Sequence, residues 1–261
     1  GFRFDSEEMA AILLNTTLTH KDLRGSRLSL TGRLSMNPYV KLNYSLGNTF
    51  LRRFELEYMF KYNNLDIYTK GKKTDNGVHR VNLGGSDIYF RNFKLQLGIR
   101  YEYYNYESFL FSDKDHNISV KPEGFFSYYG LAHLETFDKR YYPTRGMSLK
   151  VDYSLYTDNL ITYNDGAPFS AIGLDFESVL SITRRVKFIP SIYGRVLVGH
   201  DVPYPYLNCM GGDVAGRYVD QQLPFLGIQH LEIFDNSVVV AKVKVRYNIG
   251  RNHYISLAGN Y

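Results

Sequence analysis

Few side chains along this sequence are spaced so that they could do chemistry together. His133 and Glu135 stand two residues apart on one face of an alternating run, and Arg195 lies in a second such run. Residue types of this kind could line a polar interior. His200 and Asp201 are adjacent and, with a serine, would supply the parts of a hydrolytic triad, although no spacing favours that arrangement. The stretch "GGSDI" at residues 84–88 lacks the closing glycine of a nucleophile elbow. No His-Glu-x-x-His occurs, the seven histidines are scattered, and Cys209 is the one cysteine. A zinc site and an intrachain disulfide are therefore not expected. Walker-type and dinucleotide glycine motifs are absent as well. The expectation is a chain with no catalytic residue, no metal and no cofactor.

One segment stands apart. Residues 206–229, "YLNCMGGDVAGRYVDQQLPFLGIQ", follow neither a two-residue nor a helical period. Gly211, Gly212 and Gly216 permit positive φ and close backbone approach. Arg217, beside Tyr218, could reach a carboxylate if the segment folds back into a polar interior, because an unpaired buried charge is expensive. A solvated surface loop is the alternative, against which the apolar "LPFLGI" speaks.

The elements that would carry these residues are strands. Leu28, Leu30, Gly32, Leu34 and Met36 alternate with Arg27, Ser29, Thr31, Arg33 and Ser35. Val239, Ala241, Val243, Val245 and Tyr247 alternate with Val240, Lys242, Lys244, Arg246 and Asn248. Leu149, Val151, Tyr153 and Leu155 oppose Lys150, Asp152, Ser154 and Tyr156 in the same way. Successive side chains on a strand face opposite sides, so each run has one apolar and one polar face. The predicted strands lie near 10–20, 26–36, 39–46, 53–62, 64–70, 78–91, 93–107, 124–138, 146–157, 168–183, 185–199, 237–249 and 252–261, with 9–14 as an alternative short helix. Asn63 with Asn64, residues 183–185 and residues 250–252 read as tight turns. The segments 109–124, 157–168 and 200–236 read as long loops.

Length and composition choose between a soluble sandwich and a membrane barrel. Many of these runs exceed the five or six residues or so usual for globular strands and suit the roughly 9–11 that a tilted strand needs to cross a bilayer. The chain of 261 residues carries 24 Tyr and 17 Phe but no Trp. Aromatic clusters at 101–106, 125–129 and 141–142 fit an interfacial girdle, with core or hairpin pairing as the alternative. No apolar run is long enough for a spanning helix, and the mean hydropathy of −0.30 says nothing about barrels, whose strands are half polar. The net charge of +5 is spread along the strands rather than gathered, which argues against a nucleic-acid partner.

Two segments together resemble one family. "YYPTRGMSL" is similar to the Pro-Thr-x-Gly turn of the bacterial surface antigen superfamily, the barrels of outer-membrane assembly and secretion. "GGDVAGRY" resembles that family's inward-folded loop, although here the glycine precedes the arginine. The order of turn, three strands and then loop agrees too. The resemblance implies an all-β fold: an antiparallel transmembrane β-barrel, sixteen-stranded in the family, with roughly thirteen strands in this chain. It implies a bacterial outer-membrane location. Pro143, Thr144 and Gly146 would form a periplasmic turn, Leu149, Val151, Tyr153 and Leu155 would meet lipid, and Arg217 would be the loop arginine.

Within that family, "FRFDSEEMAAILLNTTL" and "GRYVDQQLPFLGI" look most like barrels that follow a patatin-like phospholipase. Residues 1–261 would then be a single barrel domain, incomplete at its C-terminus and separated from upstream periplasmic and hydrolase domains. Its expected role is to anchor, and translocate or display, the attached hydrolase. A polypeptide assembly or transport pore and a soluble ligand-binding barrel are the alternatives. The implied partners are outer-membrane lipids, the barrel assembly machinery during insertion, the attached hydrolase domain and a second copy of the chain, with no nucleic acid.

Overall fold

The computed structural model describes residues 2–5, 9–20, 25–48, 52–67, 72–108, 122–212, 215–216, 219–229, 231–250 and 253–261. Its strands are β1 Phe2–Asp5, β2 Met9–His20, β3 Ser26–Leu34, β4 Tyr39–Asn48, β5 Arg52–Ile67, β6 Lys72–Phe90, β7 Phe93–Ser108 and β8 Glu123–Glu135. They continue with β9 Gly146–Thr157, β10 Phe169–Ser181, β11 Val186–Val198, β12 Asn208–Met210, β13 Gln222–Leu223, β14 Ile233–Asp235, β15 Ser237–Asn248 and β16 Tyr254–Asn260. One 3-10 turn, Tyr204–Tyr206, is the only helical piece among the described residues, and no helix there could cross a membrane. Thirteen strands follow one another in sequence order in one antiparallel sheet, β1 to β11 and then β15 and β16, and the sheet is not closed. The segment between β11 and β15 holds a separate small sheet, β13-β12-β14.

The chain divides into two compact units. The first comprises Gly1–Ile88, Gln96–Tyr129 and Leu155–Pro168. In it the register aligns Leu18 with Leu28, Leu28 with Tyr44, Tyr44 with Leu56 and Leu56 with Leu83. A second row joins Leu30, Leu42, Tyr58 and Val81. Every one of these side chains is exposed. The opposite face is polar and carries ion pairs: Lys41 Nζ lies 2.6 Å from Glu57 Oε2, and Arg80 Nε donates to Glu102 Oε1 at 2.5 Å. Glu102 is only 1% exposed, so its charge depends on that arginine. A soluble protein buries the apolar face and wets the polar one; here the polarity is inverted, as a lipid-facing sheet requires.

The second unit comprises Tyr89–Leu95, Gly130–Ser154 and Phe169–Tyr261. Ile172, Leu174, Ile192, Val196, Val239, Val243, Val245 and Tyr247 form its exposed apolar face. Lys187, Ser191 and Arg246 are buried on the other face, Lys187 pairing in register with Arg246.

Several expectations are corrected. Asn63 and Asn64 do not turn the chain. They lie inside β5, whose ladder with β6 runs unbroken from Arg53↔Ser86 to Ile67↔Lys72. Asn63 Nδ2 donates to Asn76 Oδ1 at 3.2 Å, and the Asn64 N–H donates to Asn37 Oδ1 at 2.6 Å. Two residues with weak strand propensity are thus held by partners distant in sequence. Residues 53–62 and 64–70 were expected as two strands, whereas 53–67 lie within β5. Residues 9–14 are strand, not helix, and β1 had not been anticipated. Residues 68–70 of the expected strand 64–70, most of the expected loop 109–124, and residues 251–252 of the expected last turn lie outside the described residues. The cluster 125–129 is not simply a girdle. Phe126 packs on Tyr101 with ring centroids 4.8 Å apart, but Phe125 is buried against Tyr104 and Tyr163.

Candidate functional site

The segment after β11 packs onto the polar face of the second unit, and its own backbone is organised by buried side chains. Asn208 begins β12 and is fully buried; its Nδ2 donates to the carbonyls of Arg195 at 2.8 Å and Asn236 at 2.9 Å. Arg195, on β11, donates from Nη1 to Tyr206 O and to Asn208 Oδ1, each at 2.8 Å. Tyr193, two residues earlier on the same face, donates its hydroxyl to Pro224 O at 2.5 Å. The alternation of β11 sends Tyr193 and Arg195 to the same side, so one strand face supplies both anchors. Phe169 and Tyr206 meet edge to face at 5.5 Å beneath the 3-10 turn.

The glycines sit where the segment doubles back. Gly211 has φ +140°, and a Cβ there would lie 1.9 Å from Gln229 O. Its carbonyl accepts Gln222 Nε2 at 2.8 Å, and its N–H donates to Leu223 O at 3.0 Å. Gly212 (φ +79°) exchanges backbone bonds with Ile228 and Phe225, and Gly216 (φ +61°) donates to Gln222 O. Cys209, between these anchors, is 1% exposed; burial pushes its thiol up to about 12, with the charge of Arg195 opposing. Such a thiol is inert. Arg217 and Tyr218 lie outside the described residues.

The turn before β9 is the second ordered feature. Asp138 accepts the Thr144 hydroxyl at 2.5 Å, the Thr144 N–H at 2.7 Å and the Arg145 N–H at 3.2 Å. The Thr144 hydroxyl, followed by the two backbone donors and the Lys139 charge, holds the Asp138 carboxyl down at about 2. Gly146 has φ +112°, and a Cβ would stand 2.4 Å from Thr136 O, so only glycine closes this turn unstrained. Pro143 O accepts a hydrogen bond from Arg246 Nη2. Immediately beyond, Val151 and Tyr153 are exposed, while Leu149 and Leu155 are half-buried.

His133 Nε2 meets Ser148 Oγ at 3.0 Å and Glu135 Oε2 at 3.6 Å, whereas Arg195 belongs to the loop anchor. His200 and Asp201 lie exposed where the loop begins. Among the described residues no group of three His, Cys, Asp or Glu could hold a metal ion. Sequence reasoning placed Arg195 on a polar lining but missed Asn208 and Asp138. Their types are common, and only the partners they meet set them apart.

Long antiparallel strands with an apolar exposed face, a polar face bearing a folded-back loop, and a tight turn define the outer-membrane β-barrel class. The chain belongs to the OMP85 superfamily, whose family model matches residues 10–261. It is thus a bacterial outer-membrane protein of the superfamily anticipated from the turn and the loop. Its fold is similar to that of BamA from Haemophilus ducreyi lacking POTRA domains 1-3, with a TM-score of 0.69, 12% identity, and coverage of 99% of this chain and 56% of that one. It is also similar to CdiB from Acinetobacter baumannii, with a TM-score of 0.51, 11% identity, and coverage of 98% and 47%. The chain therefore spans about half the length of either structure. No curated protein matches it.

Proposed function

We propose that this chain is a non-enzymatic assembly or transport barrel acting on polypeptides. In this reading the loop-bearing polar face lines the lumen, and Leu149, Val151, Tyr153 and Leu155 meet lipid. Pro143, Thr144 and Gly146 close a periplasmic turn. The observation that carries the reading is the segment between β11 and β15, which is held on the polar face by Arg195, Asn208 and Tyr193. A segment pinned by a few side chains to a polar wall suits a pathway that opens and closes. Depletion of the protein followed by biotinylation of the intact cell surface tests this. Selective loss of surface polypeptides is expected; an unchanged surface profile would overturn the proposal.

A second, more specific reading has one passenger, an attached patatin-like hydrolase. Its support is the resemblance of "FRFDSEEMAAILLNTTL" and "GRYVDQQLPFLGI" to barrels of that kind. The intact mass of the native polypeptide tests it. A mass far above 30.2 kDa together with lipid hydrolysis is expected, and a large polypeptide without a hydrolase domain would refute it. The barrel assembly machinery acts during insertion in either case, and a second copy of the chain is the remaining partner to examine by cross-linking.

A further inference from the structure

Three short turns of the second unit are tied into one surface. Ser181 Oγ donates to Thr144 O at 2.6 Å, joining the turn after β10 to the turn before β9. The Asn248 N–H donates to Arg185 O at 2.9 Å, joining the turn after β10 to the end of β15. Tyr142 stacks on Tyr254 at 4.5 Å, and the Arg246 guanidinium lies 5.7 Å from both rings. This rim is preorganised, because its members hold one another in place rather than waiting for a ligand.

The rim is cationic. Lys139, Arg140, Arg145, Arg184 and Arg185 are all exposed on it. The acidic residue within the turns, Asp138, already accepts three hydrogen bonds inside its own turn. The rim is also continuous with the apolar exposed face. Met147 follows Gly146 directly, Ile182 precedes the arginine pair, and Ile249 follows β15; all three are exposed. Tyr141 and Tyr142 stand exposed among these cations, with Arg140 5.5 Å from the Tyr141 ring centre. Apolar residues followed by fixed positive charge is the order in which a bilayer presents acyl chains and headgroups.

From this arrangement, and resting on the membrane-spanning reading above, we infer that the rim formed by residues 138–146, 182–186, 248–250 and 253–254 binds the headgroups of anionic phospholipids in the leaflet it reaches. The cations would meet the phosphates while Met147, Ile182 and Ile249 face the acyl chains. An acidic protein domain is the competing occupant. Lipid is favoured because the cations border the apolar face directly, whereas a protein docking from the aqueous side would not need that continuity.

Native mass spectrometry of the detergent-purified polypeptide, incubated with phosphatidylglycerol or phosphatidylethanolamine, tests the inference. Phosphatidylglycerol should be retained about tenfold better, and the preference should shrink as salt is raised. The combined variant Lys139→Gln, Arg140→Gln, Arg145→Gln, Arg184→Gln and Arg185→Gln should lose the preference, while replacing the four arginines by lysine should keep it. Heat-modifiable gel migration reports whether each variant is folded. Equal retention of the two lipids by the native polypeptide, or salt-independent retention, overturns the inference whether or not the variants fold. It would then leave an acidic protein as the occupant. The lipid preference is read independently of any change in surface polypeptides, so this inference and the transport reading can fail separately.

Discussion

Arg195 and Asn208 clasp each other reciprocally: the guanidinium donates to the carboxamide oxygen, and the carboxamide nitrogen donates back to the Arg195 carbonyl. Thirteen positions separate them, and the 3-10 turn lies between, so the clasp closes the base of the loop. A pair with one fully buried and one half-buried member is costly to break on one side only, because the surviving partner keeps its desolvation penalty.

Asn208→Ala removes two donated bonds and one accepted bond while leaving Arg195 in place. Loss of about 1–3 kcal/mol of local stability is expected. The adjacent Cys209 provides the readout, since its thiol is buried. Maleimide labelling of the folded native protein should be negligible and should become rapid in the variant. Equal labelling rates would mean that the clasp does not hold the loop.

Gly98 and Gly84 receive the Tyr129 hydroxyl in a notch: a Cβ at Gly98 would sit 2.4 Å from Tyr129 Oη and 2.7 Å from Leu83 O. Arg100 lies 4.9 Å from the Tyr129 ring centre, which gives the ring a second contact. Gly98→Ala should destabilise the first unit by about 1–3 kcal/mol through overpacking against backbone. Combining it with Tyr129→Phe should not rescue it, because the Leu83 carbonyl remains in the way. Full rescue in urea unfolding would show that the hydroxyl alone was the obstacle.

Val151 and Asp152 test the assignment of faces. Val151→Arg places a charge on the exposed apolar face and should cost roughly 2–4 kcal/mol in a bilayer. Asp152→Asn should cost little, since the carboxamide has nearly the same shape within the notch that Gly173 leaves for this side chain. Folding titrations in lipid vesicles compare the two, and equal costs would reverse the assignment.

Asp138 ties the turn's order to pH. Its ordinary value of 3.8 falls to about 2 in the folded turn, so the folded state prefers the carboxylate. The contribution is complete above about 4 and is lost as the pH falls through about 2. Amide hydrogen exchange at Thr144 and Arg145 should therefore accelerate across that interval in the native protein. Asp138→Asn should abolish the acid step. A native-like step in the variant would assign it to another group.

The strand pattern was legible because its signal is local. A two-residue period, as in Leu28, Leu30 and Leu34 or in Val239, Val243 and Val245, reports one environment on each face, and those residues are exposed together in the structure. The turn was legible for the same reason, since Pro143, Thr144 and Gly146 are neighbours with restricted or unusual backbone preferences. Asn63 and Asn64 misled because local propensity favours a turn there, while the partners that keep the strand straight, Asn76 and Asn37, are 13 and 27 residues away. The loop showed its glycines but not its anchors. What Arg195 and Asn208 do depends on a strand face meeting a folded-back segment, and no period in the sequence records that meeting. Sequence alone thus determined the alternating strands, the family and the turn. Tertiary structure decided where β5 ends, what holds the loop, and that three separate turns share one basic rim, because each depends on side chains brought together only by the fold.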